Sequence, residues 1–243
     1  MSTEPNLKVY KKRADLYLSV AQYFVEKAQA AIKKKEKFTV CFSGGKTPKP
    51  FYELLATPEF ASQVNWKKCH IFFSDERMVS DTHDDSNYGM IYDALLKKVK
   101  VPKSNVYKME GDRTPREAAQ AYTQVFQLFY GATKPFFDLA FLGMGADGHI
   151  ASMFPGTDAV KMVRKRVREV KMGKNKPWRL TLTSSVFNRS KSVVLLVTGK
   201  KKAQTVKEVL HGPFNPELLP AQVLRKAEGE VTWYLDEGAA SAL

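Results

Sequence analysis

Three glycine-bearing or charged segments carry the side chains best suited to chemistry. The first is GMGADGH (143–149), within LGMGADGHIASMFPG (142–156). His149 follows Gly143, Gly145, Gly148 and Asp147 at the end of an apolar run. That is a poor packing site and a good place to move protons. Asp147 can orient the imidazole and keep a neutral base available near pH 7. The second segment is Ser43-Gly44-Gly45-Lys46-Thr47-Pro48. Its glycines let the backbone turn and approach a ligand closely. Thr47 is expected to cap a following helix and Pro48 to fit its first turn, leaving free amides that favour phosphate; a plain strand-to-helix turn explains the same residues equally well. The third is Ser74-Asp75-Glu76-Arg77, with Asn87 and Tyr88 nearby in DSNYGM. Charges just past an apolar strand must reach solvent, a ligand or each other. Arg179 and Lys202 stand at two further strand or helix junctions, where a cation can hold a phosphate. His70, His83 and His211 have no comparable setting, and no spacing suggests a metal site.

The elements that must position these groups follow from the hydrophobic pattern. Residues 14–35 read as a helix, with Leu16, Leu18, Val20, Ala21, Phe24 and Ala28 on one face. FTVCF (38–42), CHIFFS (69–74), NVYKM (105–109), FDLAFLG (137–143), RLTLT (179–183), SVVLLVT (192–198) and VTWYL (231–235) read as strands. Several are apolar throughout, as expected of a parallel sheet buried on both faces. Helices are expected over 48–56, 87–98, 115–130 and 201–210. This alternation predicts a doubly wound, Rossmann-like α/β fold with a largely parallel sheet, residues 1–243 forming one domain. Ligands bind such sheets outside the carboxyl ends of the strands, where the three segments fall.

Composition narrows the classes. The 243 residues are 44% hydrophobic, enough for a sizeable core. No apolar run approaches a membrane span, and MSTEPNLKVYKKR lacks the apolar stretch of a secretory signal. Cys41 and Cys69 read as buried strand residues in a reducing compartment. The net charge is +14, and half of it lies between Lys161 and Lys176, where eight basic residues face one acid. Lys33, Lys34, Lys35 and Lys37 form a second cluster. Such charge serves nucleic-acid binding, a mobile solvated surface, or steering of an anionic substrate.

Taken together, SGGKTPKPFYELLA (43–56), FFSDERMVSDTHDDSNYGM (72–90), FDLAFLGMGADGHIASMFPG (137–156), RLTLT (179–183), LVTGKKKA (196–203) and VTWYLDEGAA (231–240) resemble the 6-phosphogluconolactonase family, related to glucosamine-6-phosphate deaminases. The resemblance implies a metal-independent, cofactor-free esterase. Its substrate would be 6-phosphoglucono-δ-lactone and its product 6-phosphogluconate, in the oxidative pentose phosphate pathway. By the same resemblance His149 is the general base and Asp75 a sugar-contacting acid. Ser43, Gly44, Gly45, Lys46 and Thr47 line a phosphate or oxyanion loop, beside Gly145 and Asp147. Arg179 and Lys202 hold the phosphate, and Arg77 the phosphate or the carbonyl oxygen.

Two positions favour the lactonase over the deaminase branch. Deaminases carry an aromatic residue where this chain has Arg77, and a carboxylate inside an Asn-Glu-Pro pattern just beyond the histidine. Here that stretch reads Met153-Phe154-Pro155. A deaminase moves protons between carbons and needs that acid; a lactonase needs one base and one oxyanion site. A non-catalytic sugar-phosphate sensor would bring a helix-turn-helix domain, for which the residues before Phe38 leave no room. The stretch between Gly156 and Arg179 is shorter than family members usually show, either as a short loop or through residues missing near Val160. A monomer with no nucleic-acid or membrane partner is expected, in the cytoplasm. Ser241-Ala242-Leu243 faintly resembles the Ser-Lys-Leu tripeptide without its basic middle residue, so a second location in a peroxisome-like organelle (glycosome) is also expected.

Overall fold

Short runs of β-branched and aromatic residues become strands buried on both faces. The computed structural model describes residues 5–131, 136–161 and 164–243. Its strands are β1 (Asn6–Tyr10), β2 (Phe38–Phe42), β3 (Cys69–Phe73), β4 (Asp75–Arg77), β5 (Val106–Tyr107), β6 (Leu139–Gly143), β7 (Val167–Val170), β8 (Arg179–Leu182), β9 (Ser192–Val197) and β10 (Glu230–Asp236). Every residue of β2 and of β9 is buried. Both need apolar side chains on each face, so neither alternates.

Among the described residues, seven strands form one parallel sheet in the order β1-β10-β9-β6-β2-β3-β5. The helices are α1 (Arg13–Lys35), α2 (Lys49–Leu55), α3 (Pro58–Ala61), α4 (Asn87–Ala94), α5 (Pro115–Tyr130), α6 (Asp158–Lys161), α7 (Ser184–Phe187), α8 (Ala203–His211) and α9 (Glu237–Ala240). One core, including Phe24, Phe51, Tyr52 and Ile91, packs α1, α2 and α4 against one face. The other, including Tyr122, Phe126, Val186 and Val206, packs α5, α7 and α8 against the opposite face. In α1 the buried residues are Leu16, Val20, Ala21, Phe24, Val25 and Ala28. Leu18, expected among them, is 41% exposed, because two residues on from Leu16 is more than half a turn around the helix.

The sequence expectation needs four corrections. Asn6–Tyr10 is an edge strand, paired in parallel with β10. RLTLT is not in the main sheet: β8 pairs antiparallel with β4 and β7 in a separate three-stranded sheet. The basic segment is not merely a solvated loop, since β7 lies within it and buries Val167 and Val170. Expected helices also shorten: α4 ends at Ala94 with a 3-10 turn over Leu96–Lys98, and Lys200–Lys202 is a 3-10 turn preceding α8. Met162 and Val163, next to the point near Val160 where the chain runs short, lie outside the described residues, as do residues 1–4 of the N-terminal stretch.

This topology fixes where a ligand can sit. From β2 the chain winds outward through β3 to β5, then returns to β6 on the other side of β2. The loops that leave β2 and β6 therefore exit side by side at the carboxyl edge, where strand order reverses and a crevice must open.

Candidate active site

A cleft of about 240 Å³ opens at that reversal. Eleven of the twelve residues singled out from the sequence line it: Ser43, Gly44, Gly45, Lys46, Thr47, Asp75, Arg77, Gly145, His149, Arg179 and Lys202. The twelfth, Asp147, does not line the cleft but holds a residue that does. Its Oδ1 lies 2.5 Å from His149 Nδ1 and also accepts the His149 backbone amide at 3.2 Å. With Nδ1–H donated to the carboxylate, the Nε2 lone pair is free to take a proton. Burial works to raise the Asp147 carboxyl, but the charge and hydrogen bonds of His149 outweigh it, and the group lies below the usual range. The imidazole rests on Phe154, with centroids 4.3 Å apart.

The loop behind this pair is tightly wound. Gly145 N–H donates to His149 O, Gly148 N–H donates to Gly145 O, and Ile150 bridges Met144 and Met153. Gly145 has no room for a side chain: a Cβ there would lie 2.2 Å from His149 Nδ1 and 2.5 Å from Asp147 Oδ1. Thr205, on α8, ties the loop down by donating to Ala146 O at 2.7 Å.

The loop after β2 supplies amides. Those of Gly44, Gly45, Lys46 and Thr47 make no hydrogen bond to the rest of the described residues. Thr47 does not cap α2, contrary to expectation: Pro48 occupies the N-cap, with no side-chain cap bond. The Ser43 hydroxyl is turned inward, donating to Phe141 O at 2.8 Å and lying 2.6 Å from Ser74 Oγ. It braces β2 against β6 and β3 as well as lining the cleft. Gly44 is packed so closely under Asn87 that a Cβ would fall 1.7 Å from Asn87 Oδ1.

Asn87 is the organising residue of the acidic side. Its Nδ2 donates to Asp75 O at 2.9 Å and Asp75 Oδ1 at 3.3 Å, and its Oδ1 accepts from Arg77 Nη1 at 2.6 Å. Asp75 also accepts from Ser74 at 2.9 Å and, through Oδ2, from Ser152 at 2.6 Å. Glu76 takes a different role from its neighbours. It accepts the amides of Arg77, Asn87 and Tyr88 and so anchors the start of α4. Burial pushes its carboxyl up to about 6, with those three amides pulling the other way. The acidic pair is therefore not an ion-pair cluster with Arg77.

The cationic side is unusual. Arg77 and Arg179 are direct partners across the β4–β8 ladder. Like charges directly opposite in an antiparallel pair are destabilising, so the arrangement suits an anion between them. Arg77 Nε is shielded from solvent and without an acceptor among the described residues. Burial, then the charge of Arg77, lowers the Arg179 guanidinium, and burial lowers the Lys202 ammonium against the pull of Asp236. Both positions would gain from an anionic ligand. Among the described residues no cluster of His, Cys, Asp and Glu could hold a metal ion.

A family model described as glucosamine-6-phosphate isomerases/6-phosphogluconolactonase matches residues 11–233. The chain belongs to this family. It is 38% identical to the 6-phosphogluconolactonase of Synechocystis sp., over 88% of each chain. It is 36% identical to the probable chloroplastic 6-phosphogluconolactonase 4 of Oryza sativa subsp. indica, over 97% of this chain and 76% of the relative. A solved structure of 6-phosphogluconolactonase from Trypanosoma brucei superposes with a TM-score of 0.88 and 28% identity, covering all of both chains. The Rossmann-like fold and the enzyme class expected from the sequence agree with these relatives.

Within the glucosamine-6-phosphate isomerase/6-phosphogluconolactonase family, two residues of this chain gain a place that its sequence did not reveal. Ser152 is fully buried, joins Asp75 to the histidine loop, and takes a long 3.5 Å contact from Arg179 Nη1. Ala151, also lining the cleft, adopts a left-handed φ of 50°, which is uncommon for a residue with a Cβ. No local pattern marks either one, and the place of Ser152 depends on Asp75 and Thr181, far from it in the chain.

Proposed function

We propose that the chain hydrolyses 6-phosphoglucono-δ-lactone to 6-phosphogluconate by general-base activation of water at His149. The observation that carries this reading is the disposition of acids. Asp147 is committed to His149 Nδ1, Asp75 is held by Ser74, Ser152 and Asn87, and Met153-Phe154-Pro155 supplies no further carboxylate. The cleft thus offers one base and several cations, which suits ester hydrolysis, and lacks the extra acid that ring opening and proton relay in an amino sugar require.

His149 Nε2 takes a proton from water as the oxygen attacks the lactone carbonyl carbon. Negative charge then develops on the carbonyl oxygen, where the free amides of Gly44, Gly45, Lys46 and Thr47 can stabilise it. The tetrahedral intermediate collapses by breaking the bond to the ring oxygen, and His149 returns its proton there. Asp147 holds the imidazole in one tautomer and stabilises its cationic form. Arg179, Lys202 and Arg77 hold the distant phosphate, so binding energy orients the carbonyl against the base. Asp75 contacts the sugar.

The test is hydrolysis of freshly generated lactone, corrected for the spontaneous reaction, by wild type and His149→Ala. Wild type turns over and releases no ammonia from glucosamine 6-phosphate. The variant binds substrate but loses about 10²–10⁴ in kcat, the usual worth of a positioned base. Activity within a few-fold of wild type removes His149 from this role. We further propose that residues 1–243 act as one domain and as a monomer, in the cytoplasm with a share in a peroxisome-like organelle, without nucleic-acid partners; light scattering and cell fractionation test these points. No helix among the described residues is long and apolar enough to cross a membrane.

A further inference from the structure

The basic stretch between Lys161 and Lys176 does not serve the cleft, since none of its side chains lines it. Part of it instead forms one wall of a second groove of about 860 Å³, between β7 and the exposed face of α5. Sorting the cations by their partners is informative. Lys161 pairs with Glu217, Arg166 donates to Gly131 O and lies over Phe136, and Lys171 donates to Lys176 O and lies over Trp178. Arg164, Lys165 and Arg168 have no side-chain partner among the described residues, and all three line the groove. Arg116, near the start of α5, joins them from the opposite wall and is equally unpaired. Arg168 Nε is shielded from water and has no acceptor among the described residues. A buried donor left in that state is costly, and an anion in the groove would satisfy it.

With Arg166, five cations face one carboxylate, Glu169, across this groove. Its volume lies within the usual range for a small ligand. The helix wall adds Gln120, Gln124 and Gln127, amides that recur at helical spacing and can both donate and accept. None of the lining side chains is aromatic, so single-stranded nucleic acid would find no stacking platform. We propose that this groove is a second anion site, distinct from the cleft, that binds a small molecule bearing a chain or pair of phosphates. Arg116, Arg164, Lys165 and Arg168 hold the phosphates, and the glutamines contact the organic part where one is present. The site also adjoins the active cleft through backbone, because Val170 of β7 is the ladder partner of Arg179.

Titration calorimetry at about 0.15 M salt, where exposed charges are strongly screened, tests the proposal. Inorganic tripolyphosphate is the first probe, with ATP and a hexose bisphosphate as further arms. Arg179→Ala weakens the cleft's own anion site and should leave tripolyphosphate binding at the groove unchanged. Arg116→Gln/Arg164→Gln changes two exposed side chains and should keep its melting temperature while losing about tenfold or more in affinity (~1.4 kcal/mol). Arg168→Gln should weaken binding in the same direction. Equal affinity for ATP and tripolyphosphate makes the phosphate chain the recognised element, and tighter ATP or bisphosphate adds the glutamine wall; either supports the site. Affinity unchanged in Arg116→Gln/Arg164→Gln would overturn it, whether or not Arg179→Ala retains binding, as would no binding at this salt or tighter binding of a DNA oligonucleotide. These readouts do not require lactone hydrolysis, so they stand apart from the catalytic proposal.

Discussion

Gly145→Ala isolates the geometry of the proposed base from every other feature of the cleft. The added Cβ would lie 2.2 Å from His149 Nδ1, 2.3 Å from Cε1 and 2.5 Å from Asp147 Oδ1. Non-bonded carbon contacts are comfortable only from about 3.5 Å, so the ring must retreat by about 1 Å and Asp147 with it. The φ of Gly145 is not in the left-handed region, so alanine adds no backbone strain there. A misplacement of that size costs about 10²-fold in rate, or ~2.7 kcal/mol of barrier. The loss should fall on kcat, with KM changing little, because Arg77, Arg179 and Lys202 stand on other elements. Steady-state lactone hydrolysis, with the spontaneous rate subtracted, measures the split. A Gly145→Ala enzyme within about threefold of wild type in kcat would refute the claim that the Asp147–His149 pair must sit where it does.

Three further outcomes are expected. Arg179→Ala or Lys202→Ala should raise KM for the lactone far more than it lowers kcat, by about 10-fold or more for loss of a charged phosphate contact; an unchanged KM would remove that residue from phosphate binding. Asn87→Ala unties Asp75 from Arg77 and leaves buried partners unpaired, so it should lower kcat/KM by about 10-fold and lower the melting temperature as well, checked by kinetics and calorimetry together. Glu76 gives a pH signature: its folded value of about 6 lies above its ordinary 4.5, so the folded state binds the extra proton. Its contribution to stability is full below about pH 4.5 and is lost as pH rises through 6, amounting to ~2 kcal/mol. In denaturant titrations the stability of wild type minus that of Glu76→Gln, which cannot titrate, should therefore rise by ~2 kcal/mol as pH falls from 7 to 4.5; a difference independent of pH would disprove the assignment.

The parts of the molecule legible from sequence were those governed by local pattern. β2, β6 and β9 are apolar without alternation because helices cover both faces of their sheet, and burial alone marks them. The glycine-bearing loops were legible because they follow those strands directly. β7 was hidden, since Val167 and Val170 are separated by charged residues within a basic run. β1 was hidden for a related reason, as an edge strand carrying only one partner and two exposed residues. The split of RLTLT into a second sheet depends on its pairing with Asp75–Arg77, a contact across the chain that no local window contains. The inward Ser43 hydroxyl and the Ser152–Asp75 bond belong to the same class. Composition suggested that these residues were polar and near the site, but only three-dimensional pairing assigns the partner.

The seat of Asn87 on Gly44 has a consequence for inheritance. A larger residue at position 44 would displace the amide that joins Asp75 to Arg77, and a smaller one at position 87 would open a void under the glycine loop. The two positions can drift only as a couple, each step in one requiring an answering step in the other. Lineages descended from this chain should therefore vary at both or at neither, making the pair a marker of whether a diverging copy still keeps its cleft assembled.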